Sequence, residues 1–222
     1  MQSHKKKSFH KTHQKGIVLI AKDALEGKVK TRLAKHIGHQ KACEIYRIMA
    51  QHICHIAVQS GYPVAISFQG DLKSPFAESL RGLGADLYQQ PMGSLGKIIY
   101  EALHRFTRTV ALGMDMPLLK VEHLHQAFSQ NDICIGPAED GGYWCIAATH
   151  PPKELFENID WSTEYVLEQT LAQIKKTQIK KYAHPVFFLE TQYDIDTYDD
   201  LVRLLTHPSL PPSLHKRITA YA

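Results

Sequence analysis

Two adjacent carboxylates, Glu139 and Asp140, stand in the segment GPAEDGGY (residues 136–143), directly after the apolar run Ile133 to Ile135. An apolar run that ends in Gly and Pro is typical of a buried strand, so the carboxylates follow the strand's carboxyl end. Open α/β sheets bind their ligands at that edge. A carboxylate there could act as a general base, or it could bind sugar hydroxyls, and the segment leaves both hypotheses open.

The glycines of the same segment predict a backbone that passes close to a ligand. Gly141 and Gly142 can adopt positive φ and have no Cβ to obstruct a close approach. Pro137 cannot donate to a strand ladder, so we expect strand pairing to stop there. The segment therefore predicts one wall of a binding site.

Basic side chains form a second cluster in KDALEGKVKTRL (residues 22–33), which follows a predicted strand. Gly27 predicts a turn, after which Lys28, Lys30 and Arg32 offer donors suited to phosphate oxygens. The spacing differs from that of the P-loop, GxxxxGK[ST]. A solvated basic loop before a helix is the alternative interpretation.

A lone aspartate, Asp115, stands in GMDMP (residues 113–117) at the end of another apolar run. A carboxylate at the carboxyl edge of a central strand can hold a Mg²⁺ or Mn²⁺ ion that bridges diphosphate oxygens. An Asx-turn or a helix cap is the alternative interpretation.

Acidic residues recur near the C-terminus in DIDTYDDL (residues 194–201). Asp199 and Asp200 fall in the first turn of a predicted helix, where the helix dipole explains them without a function. Asp194 and Asp196 precede that helix on an extended segment, in which alternate residues point the same way. Both could therefore face one ligand or cation.

A further candidate is the tripeptide Trp161, Ser162 and Thr163. Trp161 offers an apolar face for a substrate ring. Ser162 or Thr163 could instead only cap the following helix.

Strand and helix patterns alternate along the chain and place these clusters after strands. We predict strands over residues 16–21, 63–68, 86–89, 109–113, 132–135, 143–148 and 185–189, and helices over 42–57, 74–83, 98–106, 121–128, 163–175 and 197–205. Such alternation predicts an α/β fold with a mostly parallel central sheet.

Length and composition fit one sizeable domain, because the chain has 222 residues, of which 44% are apolar. We predict a basic disordered tail over residues 1–15, a single domain over 16–206 and a C-terminal extension over 207–222. Five of the 26 basic residues lie in the tail, which has no acidic residue, so the remainder carries 21 basic against 22 acidic residues. Because the positive charge is a property of the tail, nucleic acid is not an expected partner.

The tail lacks an apolar stretch behind its lysines, and no segment reaches the ~20 apolar residues of a membrane helix. We therefore expect a cytoplasmic protein without a membrane span. The four cysteines show no CxxC pairing, which predicts buried, reduced thiols and no disulfide.

Five of these motifs, taken in order, resemble one bacterial family. They are GxVKTRL at residues 27–33, GMDMP at 113–117, GPAEDGGY at 136–143, WST at 161–163 and DIDTYDDL at 194–201. Together they are similar to the arsenosugar-biosynthesis-type glycosyltransferases, a domain-of-unknown-function group within the GT-A nucleotide-diphospho-sugar transferase superfamily. The resemblance implies a GT-A fold, a three-layer α/β/α sandwich that binds a nucleotide diphosphate near the strand carboxyl ends.

The resemblance also implies roles for individual residues. Those implied to contact the nucleotide or its phosphates are Lys22, Gly27, Lys30, Arg32, Gly93 and Gly96. Those implied to line the sugar or acceptor side are Gly141, Gly142, Tyr143, Trp161, Ser162 and Thr163. Asp115 takes the metal position with Asp196 as a second ligand, and Glu139 or Asp140 is the candidate general base.

These expectations define a leading hypothesis and two alternatives. The first is a metal-dependent transferase that uses Mg²⁺ or Mn²⁺ to move a sugar from a nucleotide diphosphate to a small acceptor. The second is a nucleotidyltransferase that releases pyrophosphate from a nucleoside triphosphate. The third is a nucleotide-binding module without catalysis. The sequence specifies neither the base, the acceptor nor the oligomeric state.

Overall fold

The computed structural model describes residues 15–130, 133–177 and 186–222. Its strands are β1 (Lys15–Lys22), β2 (Val64–Gln69), β3 (Asp86–Gln89), β4 (Arg108–Leu112), β5 (Cys134–Pro137), β6 (Tyr143–Ala148) and β7 (Phe187–Phe188). Its helices are α1 (Thr31–Ile37), α2 (His39–Gln59), α3 (Pro75–Gly82), α4 (Leu95–Leu103), α5 (Val121–Ser129), α6 (Val166–Lys176), α7 (Tyr198–Leu205) and α8 (Pro212–Thr219), with a 3₁₀ helix over Lys153–Phe156.

The strands form one sheet in the order β3-β2-β1-β4-β6-β5-β7. All neighbouring pairs are parallel except those of β6, which runs antiparallel to both β4 and β5. The central strands are almost entirely buried, and β4 is buried at every residue. Strands covered on both faces read as continuous apolar runs, which explains why the sequence identified them.

Helices cover both faces of the sheet and complete the predicted three-layer sandwich. Ile17 and Leu19 of β1 pack into the cluster that includes side chains of α2, α3 and α5. Val18, which points the other way, packs with side chains of α4, α6 and the 3₁₀ helix. This alternation follows from the two-residue period of a strand.

The C-terminal residues add a helix that was not predicted. Leu214 and Ile218 of α8 are buried in a third cluster with side chains of α1, α2 and α7. Each such burial contributes about 1.5–3 kcal/mol. Pro212 starts the helix favourably at its first position, but one pair of apolar residues four apart was too short a pattern to identify it.

Most boundaries lie one to three residues from their predicted positions, as in α4, which spans Leu95–Leu103 and not residues 98–106. Strand β5 ends at Pro137, where pairing was expected to stop, but Pro137 itself still lies opposite Tyr143 after a register shift, and its carbonyl accepts a hydrogen bond from Gln192 N at 3.0 Å. Helix α6 starts at Val166 rather than Thr163, and residues 163–165 form a bend and a turn that follow Ser162, whose φ is 67°.

Some predictions fall partly outside the described residues. These are the tail up to residue 14, position 132 of the fifth predicted strand and position 185 of the last one. Lys15, counted in the predicted tail, is the first residue of β1. All four cysteines are buried and free, as predicted. Over the described parts of the chain, no helix is long and apolar enough to cross a membrane.

Candidate active site

A cavity of about 1110 Å³ opens at the carboxyl ends of the parallel strands. Its volume slightly exceeds the usual range of about 300–1,000 Å³ for small-ligand sites. The predicted site residues that line it are Lys22, Lys30, Arg32, Gly93, Asp115, Asp140, Gly142, Tyr143, Trp161, Ser162, Thr163 and Asp196. Four predicted site residues, Gly27, Gly96, Glu139 and Gly141, are not among its lining residues.

The centre of the cavity is an ion-pair cluster around Lys30. Its ammonium nitrogen lies 2.6 Å from Asp115 Oδ1 and 2.8 Å from Asp196 Oδ1. The Lys30 side chain is only 4% exposed, whereas those of Asp115 and Asp196 are 39% and 50% exposed. One ammonium group therefore links residues from three different motifs.

The backbone around Lys30 holds it in this place. Lys30 has left-handed φ and ψ angles of 48° and 43° and precedes the first residue of α1. A non-glycine residue in this conformation costs about 1–3 kcal/mol, which the surrounding contacts must offset. Arg47 of α2 supplies one such contact, since its guanidinium donates to Ala24 O at 2.9 Å and ties the loop to the helix. Gly27 contributes the predicted turn, with a φ of 72°.

The two aspartates are brought together by the segment before α7. Ile195 N donates to Asp115 O at 3.1 Å, which joins that segment to the loop after β4. Asp200 Oδ2 accepts from Asp196 N at 3.1 Å and from Thr197 N at 2.7 Å, so the cap of α7 orients Asp196. Thr197 is the N-cap residue, as predicted.

Burial and the charges of this cluster shift the pKa values of its side chains. Burial alone would lower the pKa of Lys30, but Asp115 and then Asp196 outweigh it, so the pKa lies above its usual value. Burial alone would raise the pKa of Asp196, but Lys30 outweighs it, and the pKa lies below its usual value. Asp194 also lines the cavity, and burial followed by the charge of Asp115 raises its pKa to about 7.

The carboxylates of Asp115 and Asp196 fit a metal ion that receives its remaining ligands from a bound substrate. Within residues 15–130, 133–177 and 186–222, no group of three or more His, Cys, Asp or Glu side chains is arranged to hold a metal. Asp115 and Asp196 nevertheless present two partly exposed carboxylates to one point of the cavity. Mg²⁺ is commonly held by one or two carboxylates together with substrate phosphates, and that arrangement matches this pair.

Glu139 and Asp140 are separated by the fold. Arg203 of α7 donates to both Glu139 oxygens, at 2.6 and 2.8 Å. These hydrogen bonds lower the pKa of Glu139 and hold its carboxylate in an exposed pair beside the cavity. Asp140 lines the cavity, and its Oδ1 accepts from Gly142 N at 2.9 Å.

Gly141 is required by the backbone conformation and close packing of this loop. Its φ is 85°, and a Cβ at this position would overlap the Glu164 carbonyl. Leu167 N donates to Gly141 O at 2.9 Å, so the loop is fastened to the start of α6. The expected positive φ is present at Gly141 but not at Gly142, and the close neighbour of Gly141 is protein backbone, so the approach to a ligand stays a prediction.

Gly96 serves a similar packing purpose. It lies in the first turn of α4, where a Cβ would come within 2.7 Å of Trp161 Nε1 and 2.6 Å of Phe156 O. Trp161 therefore rests on the helix, with Tyr143 approaching it edge to face at a ring-centroid distance of 6.3 Å. The two aromatic residues form one wall of the cavity, which the basic loop also lines.

Several lining residues were not among the predicted site residues. Gln69 and Gln89 are the last residues of β2 and β3, and Gln90 follows directly. Their position after strands is the same signal that identified Asp115, so it could have revealed them. Arg203, which does not line the cavity but pairs with Glu139 beside it, could not be found from such a pattern. It lies within a helix and 64 residues from Glu139.

Comparison with solved structures confirms the fold. A protein from Desulfovibrio desulfuricans G20, named provisionally as a nucleotide-diphospho-sugar transferase, superposes with a TM-score of 0.83 at 25% identity and covers 94% of this chain and 95% of its own. A cytidylyltransferase from Leptospira borgpetersenii serovar Hardjo-bovis (strain JB197) gives 0.53 at 14% identity, covering 95% and 92%. Glucosyl-3-phosphoglycerate synthase from Mycobacterium tuberculosis, in complex with Mn²⁺, UDP and phosphoglyceric acid, gives 0.50 at 10% identity, covering 91% and 78%.

The last two similarities concern the fold alone, which is that of nucleotide-diphospho-sugar transferases. No curated protein matches the chain. A family match extends over residues 52–163, slightly more than half of the sequence. This chain therefore belongs to the bacterial family described as "Uncharacterized protein conserved in bacteria (DUF2064)".

Proposed function

We propose that this protein is a metal-dependent transferase that moves a sugar from a nucleotide diphosphate to a small acceptor. The observation that carries the proposal is a single cavity in which a basic loop, a carboxylate cluster and an aromatic wall meet. The name of the Desulfovibrio relative, 25% identical over nearly the whole chain, supports the same activity. The resemblance of five motifs to those of arsenosugar-biosynthesis-type glycosyltransferases favours sugar transfer over nucleotidyl transfer.

The basic loop is proposed to bind the diphosphate. Lys22, Lys28 and Arg32 line one side of the cavity and form no salt bridge within the described residues. Their charges are therefore available for phosphate oxygens, and arginine suits phosphate geometry through its planar fork. Lys30 extends this set towards the carboxylates.

Asp115 and Asp196 are proposed to hold Mg²⁺ or Mn²⁺ together with the diphosphate. Such an ion, when bound, neutralises the charge that develops on the leaving diphosphate. The synthase from Mycobacterium tuberculosis, which shares the fold, was solved with Mn²⁺ and UDP, and this makes Mn²⁺ a sensible first test.

The acceptor side is proposed to lie between Asp140 and the aromatic wall of Tyr143 and Trp161. Aromatic faces pack well against sugar rings, while a carboxylate accepts hydrogen bonds from hydroxyls. Asp140 is the better candidate for a general base than Glu139, because Arg203 occupies both oxygens of Glu139.

The test is turnover of nucleotide sugars with Mn²⁺ present, scored as release of nucleoside diphosphate. Asp115→Ala should abolish this release, whereas Asp199→Ala, which alters an exposed aspartate of α7 outside the cavity, should leave it unchanged. Unaltered turnover in Asp115→Ala would remove this aspartate from the mechanism.

The same assay separates sugar transfer from nucleotidyl transfer. Pyrophosphate released from nucleoside triphosphates, with no diphosphate from sugar nucleotides, would replace the proposal by the nucleotidyltransferase alternative. Tight nucleotide binding without any product would point to the non-catalytic module.

A further inference from the structure

The Lys30 ammonium group occupies the place at which the two carboxylates converge. It is within 2.8 Å of an oxygen of both Asp115 and Asp196, and its side chain is almost fully buried. The carboxylates, by contrast, remain open to the cavity. Lys30 therefore already compensates one of the two negative charges of the pair in the ligand-free protein.

A free divalent cation would compete with this ammonium group for the same oxygens. Magnesium bonds to oxygen are about 2.0–2.1 Å long, so an ion bound to these oxygens would lie within a few ångströms of the Lys30 nitrogen. Two like charges at that distance repel strongly in a partly buried site. The remaining described side chains add no third ligand to compensate.

A diphosphate changes this balance in two ways. It brings oxygen ligands that complete the coordination of an ion held by only two carboxylates. It also supplies a new anionic partner for Lys30, whose four-carbon stem can turn while its backbone stays in place. Lys22, Lys28 and Arg32 lie around the same cavity and favour the arrival of that anion.

We infer that the Lys30 ammonium group prevents a free metal ion from binding to the carboxylates of Asp115 and Asp196. The site therefore binds a divalent ion only together with a diphosphate. This inference rests on the proposed function, because it concerns the same cavity and the same ligand class. Coupled binding of this kind is reciprocal: the diphosphate raises metal affinity by the factor by which the metal raises diphosphate affinity.

The experiment measures Mn²⁺ binding to the full chain without nucleotide, from the loss of the free-ion signal in electron paramagnetic resonance. Lys30→Met should bind Mn²⁺ about 5- to 150-fold more tightly than the wild type, the usual range of coupling between sites. Lys28→Met is the matched control: it removes one positive charge from the same cavity but leaves the carboxylates paired. Lys30→Arg, which keeps the charge, should behave like the wild type.

A second measurement uses only the wild-type protein and does not depend on the folding of a variant. Thermal shifts are recorded with Mn²⁺ alone, with each of ADP, CDP, GDP and UDP alone, and with each diphosphate plus Mn²⁺. We expect no shift from Mn²⁺ alone and a combined shift larger than the sum of the separate ones for at least one nucleotide.

The inference is overturned if wild type and Lys30→Met bind free Mn²⁺ equally, or if Mn²⁺ alone stabilises the wild type as much as the combination does. Failure of the proposed function looks different, since no nucleotide would then shift the melting temperature with or without Mn²⁺. In that case the comparison between Lys30→Met and Lys28→Met still decides whether Lys30 excludes the ion.

Discussion

Arg203 holds both carboxylate oxygens of Glu139 while its guanidinium group lies 3.8 Å from the centre of the Tyr193 ring. The pair joins α7 to the loop that carries Asp140, although the two residues are 64 positions apart. The ion pair therefore holds the Glu139 carboxylate outside the cavity, whereas the neighbouring Asp140 lines it.

This pair should contribute a small, pH-dependent stability. The pKa of Glu139 is lower in the folded protein than in the unfolded chain, so the contribution is present above the unfolded pKa and is lost as pH falls through the folded pKa. Arg203→Met should lower the melting temperature at neutral pH by no more than about 2 °C, because the pair is half exposed and screened. The difference from the wild type should shrink as pH falls below the usual glutamate pKa and disappear once Glu139 is protonated in the folded state as well.

Arg81→Met provides the control for this comparison. It removes the arginine of a surface ion pair with Glu78 on α3, far from the loop. A wild-type difference for Arg203→Met that persists unchanged in acid would show that Glu139 is not the partner responsible.

The two neighbouring carboxylates should differ in their effect on turnover. Asp140→Asn should lower kcat by about 10²–10⁴-fold if Asp140 acts as a general base, whereas Glu139→Gln should change it far less. Steady-state kinetics on a nucleotide sugar would check this. A greater loss in Glu139→Gln than in Asp140→Asn would reverse the assignment.

Gly141→Ala should destabilise the protein. The substitution places a Cβ against the Glu164 carbonyl and demands a left-handed φ from alanine, which together cost at least about 1–3 kcal/mol. Urea denaturation measures the change in the free energy of unfolding. Gly82→Ala, in α3 with nothing near the added methyl group, should cost little, and equal effects of the two substitutions would contradict the argument.

Trp161 should matter for the sugar or acceptor and not for the nucleotide. It lines the cavity beside Tyr143, whose ring centroid is 6.3 Å away. Trp161→Ala should lower kcat/KM for a nucleotide sugar about 3- to 10-fold through loss of an aromatic contact, with nucleoside diphosphate affinity unchanged. Trp161→Phe should recover part of the activity, and weakened diphosphate binding in Trp161→Ala would place the nucleotide on this side instead.

Strands and helices were predictable wherever their patterns were long. Apolar runs in the sequence predicted the buried strands, and apolar residues repeated on one helical face predicted α2. Helices α1 and α8 were missed: each has seven or eight residues, buries two of them and starts without a side-chain cap, whereas the equally short α7 starts at the capping residue Thr197. Helix propensity and periodicity carry little signal at that length, and burial against α2 supplies the stability.

The α/β architecture and the position of charged residues after strand ends could be read from the sequence, because apolar periodicity is a local property of the chain that marks where buried strands end. Which of those residues meet follows from the tertiary structure. Lys30 and Asp196 are 166 positions apart, and Glu139 faces Arg203 while Asp140 faces the cavity. Such pairings depend on sheet order, on an antiparallel β6 and on the direction of each side chain, none of which a local pattern contains.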